Sequence, residues 1–285
     1  MNKIRINRLK DRGFSVIGMA STFLGLILLA VFIGNIVIDG IQRIDWNFLS
    51  ALPSRRPEDA GIFTAMMGTV WILVLTTIIS FPIGVAAGIY LEEYAKQGRL
   101  SKILEINISN LAGVPSIIYG LLGLEVFARL MGLGASVLTG SMTLSLLILP
   151  IVIVATRESI KAVPSSIRDA SFALGASKWQ TVYYQVLPAS FGGILTGIIL
   201  ALSRAVGEAA PLIVVGALAY VPFAPATPMD EFSVLPIQIF NWISRPQHGF
   251  LINASAAIIV LLVITFSMNG IAIYLRNRWQ KNIKW

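Results

Sequence analysis

Apolar residues run along this chain in long uninterrupted blocks rather than in the alternation of a half-buried strand, and polar residues gather between the blocks. A bilayer core about 30 Å thick takes about 20 helical residues at about 1.5 Å each. Six blocks reach that length, at approximately 14–38, 62–91, 106–130, 137–155, 191–221 and 250–275, each bounded by charge or by Pro and Gly. They predict an all-α membrane protein with six transmembrane helices. One transmembrane unit is expected over residues 1–285, with an anchor span at 14–38, core spans between 62 and 275, a polar loop at 156–190 and an opposing loop at 222–250. Within that second loop the apolar stretch 234–242 is expected to lie as an interfacial helix.

The first block follows Lys3, Arg5, Arg8, Lys10 and Arg12, as a secretory leader would. Its apolar stretch exceeds the roughly 7 to 15 residues of a leader's hydrophobic region, and no small-residue cleavage site closes it, so a retained anchor is expected. Gly84 with Gly88, and Gly193 with Gly197, place small residues one helical turn apart, which lets helices approach closely; packing inside the bundle is the expected use.

Composition strengthens the membrane assignment. The chain is 56% hydrophobic and 13% charged, where a soluble domain carries about 25% charged residues. Its net charge of +8 is distributed by loop. Lys96, Arg99 and Lys102, then Arg157, Lys161, Arg168 and Lys178, fall on the side of both termini, where Arg276, Arg278, Lys281 and Lys284 add to the basic N-terminal tail. The other side holds only Arg43, Arg55, Arg56 and Arg245. Positive flanks stay inside the cell, so a multi-pass protein of the cytoplasmic membrane with both termini cytoplasmic is expected. The basic residues form no aromatic-interleaved stripe, which argues against nucleic acid as a partner.

Several chemistries are excluded. There is no Cys and one His, so disulfides, thiolate metal sites and His clusters are absent. No GxxxxGK[ST] cradle or nucleophile elbow occurs, so the chain is expected to carry no catalytic residues and no ATPase site of its own. The pairs Glu92–Glu93 and Asp230–Glu231 are expected to be solvated faces. Two charged pairs fall inside apolar blocks at a spacing that shares one helix face, Glu125 with Arg129 and Arg204 with Glu208. A charge at mid-bilayer costs about 2.5 to 3.5 kcal/mol unless it meets a partner or water. Arg204 is expected past the midplane of the fifth span, where a guanidinium either grips an oxyanion through two parallel N–H bonds, exchanging Glu208 for it, or forms a static ion pair with Glu208 that locks the helix. Glu125 and Arg129 come late in the third span and are expected to snorkel as a structural pair.

The loop between the fourth and fifth spans carries the most specific pattern: Asp169-Ala170-Ser171, three residues, Gly175, then Leu187-Pro188. It resembles the EAA loop of ABC importer permeases, with Asp169 for the usual Glu, Ser171 for Ala and Gln185 where Ile is usual. The stretches Tyr90-Leu91-Glu92-Glu93-Tyr94, Gly113-Val114-Pro115-Ser116, Ser203-Arg204-Ala205-Val206-Gly207-Glu208 and Leu235-Pro236-Ile237-Gln238 look like the A-type permeases of phosphate ABC transporters. The resemblance implies a type I importer bundle whose short cytoplasmic coupling helix, built on Asp169, Ala170, Ser171, Gly175, Leu187 and Pro188, docks on an ATPase partner. It further implies that ATP and Mg are bound by that ATP-binding cassette subunit, a heterodimer with a sister permease, an external phosphate-binding protein, and phosphate as cargo. Molybdate, sulfate or phosphonate suits a single Arg equally well. An ATP-independent secondary transporter is the alternative class, since it too carries intramembrane ion pairs, and a scaffold or sensor that transports nothing is a third.

Overall fold

The computed structural model of the chain describes residues 2–96, 98–217 and 220–280, and every regular element among them is helical. Lys281, Lys284 and positions 218–219 of the predicted fifth span lie outside the described residues. Four of the six predicted spans appear as continuous helices: α1 (Asn2–Gly40), α3 (Phe63–Ile89), α6 (Val137–Lys161) and α12 (His248–Gln280), with the short α2 (Trp46–Ser50) between the first two. α1 is lipid-facing through its apolar window and meets α12 around Gly40, which lies against the backbone of Ser255 and Ala256.

The other two predicted spans are broken. Residues 106–130 fall on α4 (Arg99–Leu111) and α5 (Ser116–Gly123), the latter continued by a π-helical segment, Leu124–Leu130, and the two arms are bent by 101°. Pro115 has no N–H and drives the residue before it out of helical geometry, which ends α4. The Tyr119 hydroxyl then reaches back to donate to the Leu111 carbonyl at 2.8 Å, satisfying the exposed end of α4 and pinning the bend. Residues 191–221 become α9 (Leu187–Val206), a break at Gly207, and the six-residue α10 (Ala210–Val215). Gly216 at φ +102° stops α10 in the left-handed geometry that glycine adopts without strain.

α6 is the axis of the bundle and the most buried of the spanning helices. Glycines let its neighbours approach. A Cβ on Gly84 would stand 2.6 Å from Val152 and one on Gly88 2.6 Å from Thr156, so α3 lies directly on α6. Gly193 and Gly197 bring α9 onto Ser159 and Ala155 of the same helix. Both glycine pairs therefore serve packing within the chain. The core fills with Leu144, Ile148, Val152, Ile194, Ile198 and their neighbours.

The stretch expected as an interfacial helix is the helix α11 (Leu235–Ile243), with Leu235, Ile237, Gln238, Ile239 and Trp242 buried and Phe240 and Ile243 exposed. The Leu235 amide donates to the Thr69 hydroxyl of α3 at 3.0 Å, and Trp242 packs between Phe48 and Phe250. One side of the helix is therefore packed on protein, while Phe240 and Ile243 stay exposed.

The Asp230 carboxylate does more than face water. It accepts the Ala226 and Thr227 amides and the Thr227 hydroxyl, each at 2.8 Å. The carbonyls of Asp230 and Pro228 then accept the amides of Val137 and Leu138 at 3.0 and 2.8 Å, capping the first turn of α6. The Thr227 amide and hydroxyl, then the Ala226 amide, hold the Asp230 carboxyl below its ordinary range. A depressed carboxyl favours the folded loop above its unfolded value of about 3.9 and loses that contribution as pH falls through the native one. Amide exchange at Ala226 and Thr227 is therefore expected to rise as pH drops below about 4, relative to the intrinsic exchange rate, and Asp230→Ala should show the raised exchange already at neutral pH.

Candidate substrate pathway and coupling surface

α9 delivers Arg204 into its final turn, roughly 26 Å along the axis from Leu187. The negative end of the helix dipole favours a cation there. Beyond it the chain leaves the helix, and the Gly207 and Glu208 amides close short turns on the Arg204 and Ala205 carbonyls at 3.3 Å. That break carries Glu208 back so that its Oε1 lies 3.5 Å from Arg204 Nε. The contact is at the outer limit of hydrogen bonding, so the charges attract without the paired geometry of a locked salt bridge. The Arg204 side chain is 44% exposed and Glu208 20%. Among the described residues the remaining guanidinium nitrogens meet no hydrogen-bond acceptor, and they are free to take an anion.

The two broken segments pack on each other near this end of α9. Tyr119 of α5 lies within electrostatic reach of it, and Gly120 lets α5 ride on Pro211 of α10, where a Cβ would come within 2.8 Å of the proline backbone. Glu208 faces Thr69, Leu73, Leu144 and Val234. The site therefore forms where the ends of α9, α5 and α10 converge. Arg129 and Glu125 pair with each other on a well-exposed face of the π-helical segment.

The loop at 156–190 folds as α7 (Ser165–Ala173), a turn, α8 (Lys178–Thr181) and the π-helical segment Val182–Val186 that runs into α9. Gly175 at φ +82° ends α7: its amide and that of Ala176 bond back to the Phe172 and Ser171 carbonyls at 2.9 and 3.2 Å, the two bonds of a Schellman turn. Ser177 and Gln180 form a capping box that starts α8. The hydroxyls of Ser171 and Thr181 meet at 2.9 Å and hold the two limbs together. The result is an open groove of about 670 Å³ lined by Ala170, Ser171, Gly175 and Tyr184, with Leu174 90% exposed at its edge. Leu187 packs on the core, and Pro188 sits in the first turn of α9, where its missing N–H follows the wide π-helical turn. Asp169 is exposed in the second turn of α7, which begins four residues earlier at Ser165.

Glu92 and Glu93 depart furthest from expectation. Neither is a solvated surface acid. Glu93 is 9% exposed and receives Arg168 of α7 at 2.7 Å, while Glu92 receives Arg157 of α6 at 3.4 Å. Their partners lie 75 and 65 positions away, so no local spacing signals the pairing.

The family model of the binding-protein-dependent transport system inner membrane component matches residues 80–281. The probable ABC transporter permease protein YqgI of Bacillus subtilis is 29% identical over 88% of this chain and 90% of its own. The phosphate transport system permease protein PstA of Yersinia pestis is 32% identical, over 93% of this chain and 89% of its own. Among solved structures, a chain of the bacterial alginate ABC transporter, crystallised with an alginate pentasaccharide-bound periplasmic protein, superposes with a TM-score of 0.70. It covers 94% of this chain and 95% of its own at 14% identity, which establishes a shared fold.

Proposed function

The chain belongs to the family of binding-protein-dependent transport system inner membrane components, and on that premise we propose that it is the permease subunit through which an ATP-driven importer moves inorganic phosphate across the cytoplasmic membrane. What carries the cargo assignment is the 32% identity, over 93% of the chain, to a phosphate transport permease. The half-exposed Arg204 guanidinium, loosely held by Glu208, supplies chemistry that suits it.

The α7 end of the bundle faces the cytoplasm in this reading, as do both termini, because positive flanks are retained there. ATP-binding cassette subunits dock in the groove beside Ala170, Ser171 and Gly175, and a sister permease completes the channel. An external binding protein delivers phosphate at the far face. The anion displaces Glu208 from Arg204, taking two charge-assisted hydrogen bonds from the guanidinium. Closure of the ATPase dimer shifts α7, the bundle opens inward, and Glu208 reclaims Arg204 as phosphate leaves. Differential contact with the two states lets ATP drive the cycle.

Co-reconstituting the chain with its sister permease, ATPase and phosphate-loaded binding protein in proteoliposomes tests the proposal. ATP-dependent accumulation of radiolabelled phosphate is expected, with sulfate and molybdate excluded. Accumulation that persists without ATP would instead mark a secondary transporter, and equal uptake of another oxyanion would reassign the cargo.

A further inference from the structure

The charged side chains at the α7 end form one connected line. Arg168 directs Nε and Nη2 to the same carboxylate oxygen of Glu93, at 2.9 and 2.7 Å. Its Nη1 donates to the Val163 carbonyl at 2.8 Å and Nη2 also to the Ile160 carbonyl at 3.0 Å. Every nitrogen of this guanidinium is engaged, so α7 cannot shift without moving the end of α6 and Glu93 with it. Glu93 and its neighbour Glu92 belong to the π-helical turn Tyr90–Tyr94, closed by the Ala95 amide on the Tyr90 carbonyl at 2.8 Å. Glu92 takes one arm of Arg157, and the other arm reaches Glu105 of α4 at 3.2 Å.

α4 is attached to the bundle weakly. None of its thirteen residues is buried, so ionic contact with Arg157 weighs heavily in fixing its position. α4 leads through the bend pinned by Tyr119 into α5, and Tyr119 lies within electrostatic reach of Arg204. A line of ionic and hydrogen-bonded contacts thus runs from α7 through Arg168, the adjacent Glu93 and Glu92, Arg157 and Glu105 to α4 and the bend at Tyr119, which the charge of Arg204 reaches.

We propose that Glu93, Glu92 and Glu105 are positioning residues that relay movement of α7 to α4, and so set the α5 wall of the phosphate site in step with ATP turnover. The inference rests on the permease reading above and adds to it a route through α4, alongside the packed helices α6 and α9. The largely enclosed pairs of Glu93 with Arg168 and Glu92 with Arg157 suit the task better than apolar contact, because an enclosed charge exchanges partners only at high cost and therefore holds discrete positions, while the half-exposed Glu105 passes the movement of Arg157 to α4.

The test uses the intact complex in proteoliposomes, supplied with phosphate-loaded binding protein, and reads ATP hydrolysed per phosphate delivered at equal amounts of assembled complex. Glu105→Gln is the decisive variant, since Glu105 is half exposed and a purely structural role there would leave the ratio unchanged. We expect the ratio to rise about fivefold, the low end of typical coupling effects. Glu93→Gln should raise it similarly, Glu93→Asp should keep it near wild type by retaining the charge, and the double variant Glu93→Gln/Glu105→Gln should be no worse than the worse single change, because both interrupt one line. A wild-type ratio in Glu105→Gln, or multiplied effects in the double variant, would overturn the relay. Failure of the wild-type complex to deliver phosphate would instead defeat the permease reading itself.

Discussion

Arg204→Ala is expected to cut ATP-dependent phosphate uptake by roughly 100-fold while leaving the complex assembled. Two charge-assisted hydrogen bonds to an anion are together worth about 3 kcal/mol, and each 1.4 kcal/mol is a factor of ten. The bilayer gives phosphate no other compensating charge at this point. Glu208 is the complication, since removing Arg204 leaves its partly buried carboxylate without its partner. The double variant Arg204→Ala/Glu208→Ala separates the two roles. If Arg204 contacts cargo, the double variant assembles normally and still fails to take up phosphate. Recovery of uptake in the double variant would mean that Arg204 only neutralises Glu208. Arg204→Lys is expected to lose about tenfold, because an ammonium keeps the charge without the two-pronged geometry. Initial-rate uptake of labelled phosphate, normalised to complex in the membrane, measures all three.

The second large effect is one of packing. A Cβ on Gly197 would stand 2.1 Å from the Ala155 Cβ, well inside van der Waals contact, with backbone behind it that cannot yield. Gly197→Ala must therefore push α9 off α6, at an overpacking cost of about 1 to 3 kcal/mol. The yield of folded chain and its thermal midpoint in detergent should both fall. Because the clash is with a single methyl group, Ala155→Gly in the same chain should restore both: the next nearest atom, the Ala155 Cα, is at an ordinary 3.5 Å. Gly25→Ala in α1, with nothing within 4 Å, is the matched change expected to do nothing. A Gly197→Ala chain as stable as wild type would show that the α6–α9 contact is not close.

Much of this architecture can be read before any coordinate. Spanning helices reveal themselves because lipid requires a long unbroken apolar run, and that requirement is local. The loop at 156–190 is legible for a similar reason: Gly175 is needed where the chain turns left-handed, and the spacing from Asp169 to Pro188 is a property of consecutive residues. Arg204 and Glu208 stand out because any charge in such a run is conspicuous.

Other features depend on residues far apart in the chain. Pro115 and Gly207 mark places where helices can break, yet hydrophobicity alone ran through both. The bends are held by Tyr119 reaching Leu111 and by Gly120 seating on Pro211, contacts that composition does not reveal. The segment 234–242 reads as an apolar helix, but that Trp242 lodges between Phe48 and Phe250 is not visible in it. Glu92 and Glu93 look like surface acids until Arg157 and Arg168 arrive from elsewhere in the chain. The sequence alone thus determined that this protein spans a membrane, that a polar loop separates two of its spans at 156–190 and which charges lie within the apolar runs, since each follows from neighbouring residues meeting lipid or water. Only the tertiary structure decided where the spans break and which acid meets which arginine, because a bend or an ion pair persists only if distant side chains compensate the backbone groups and charges it would otherwise strand.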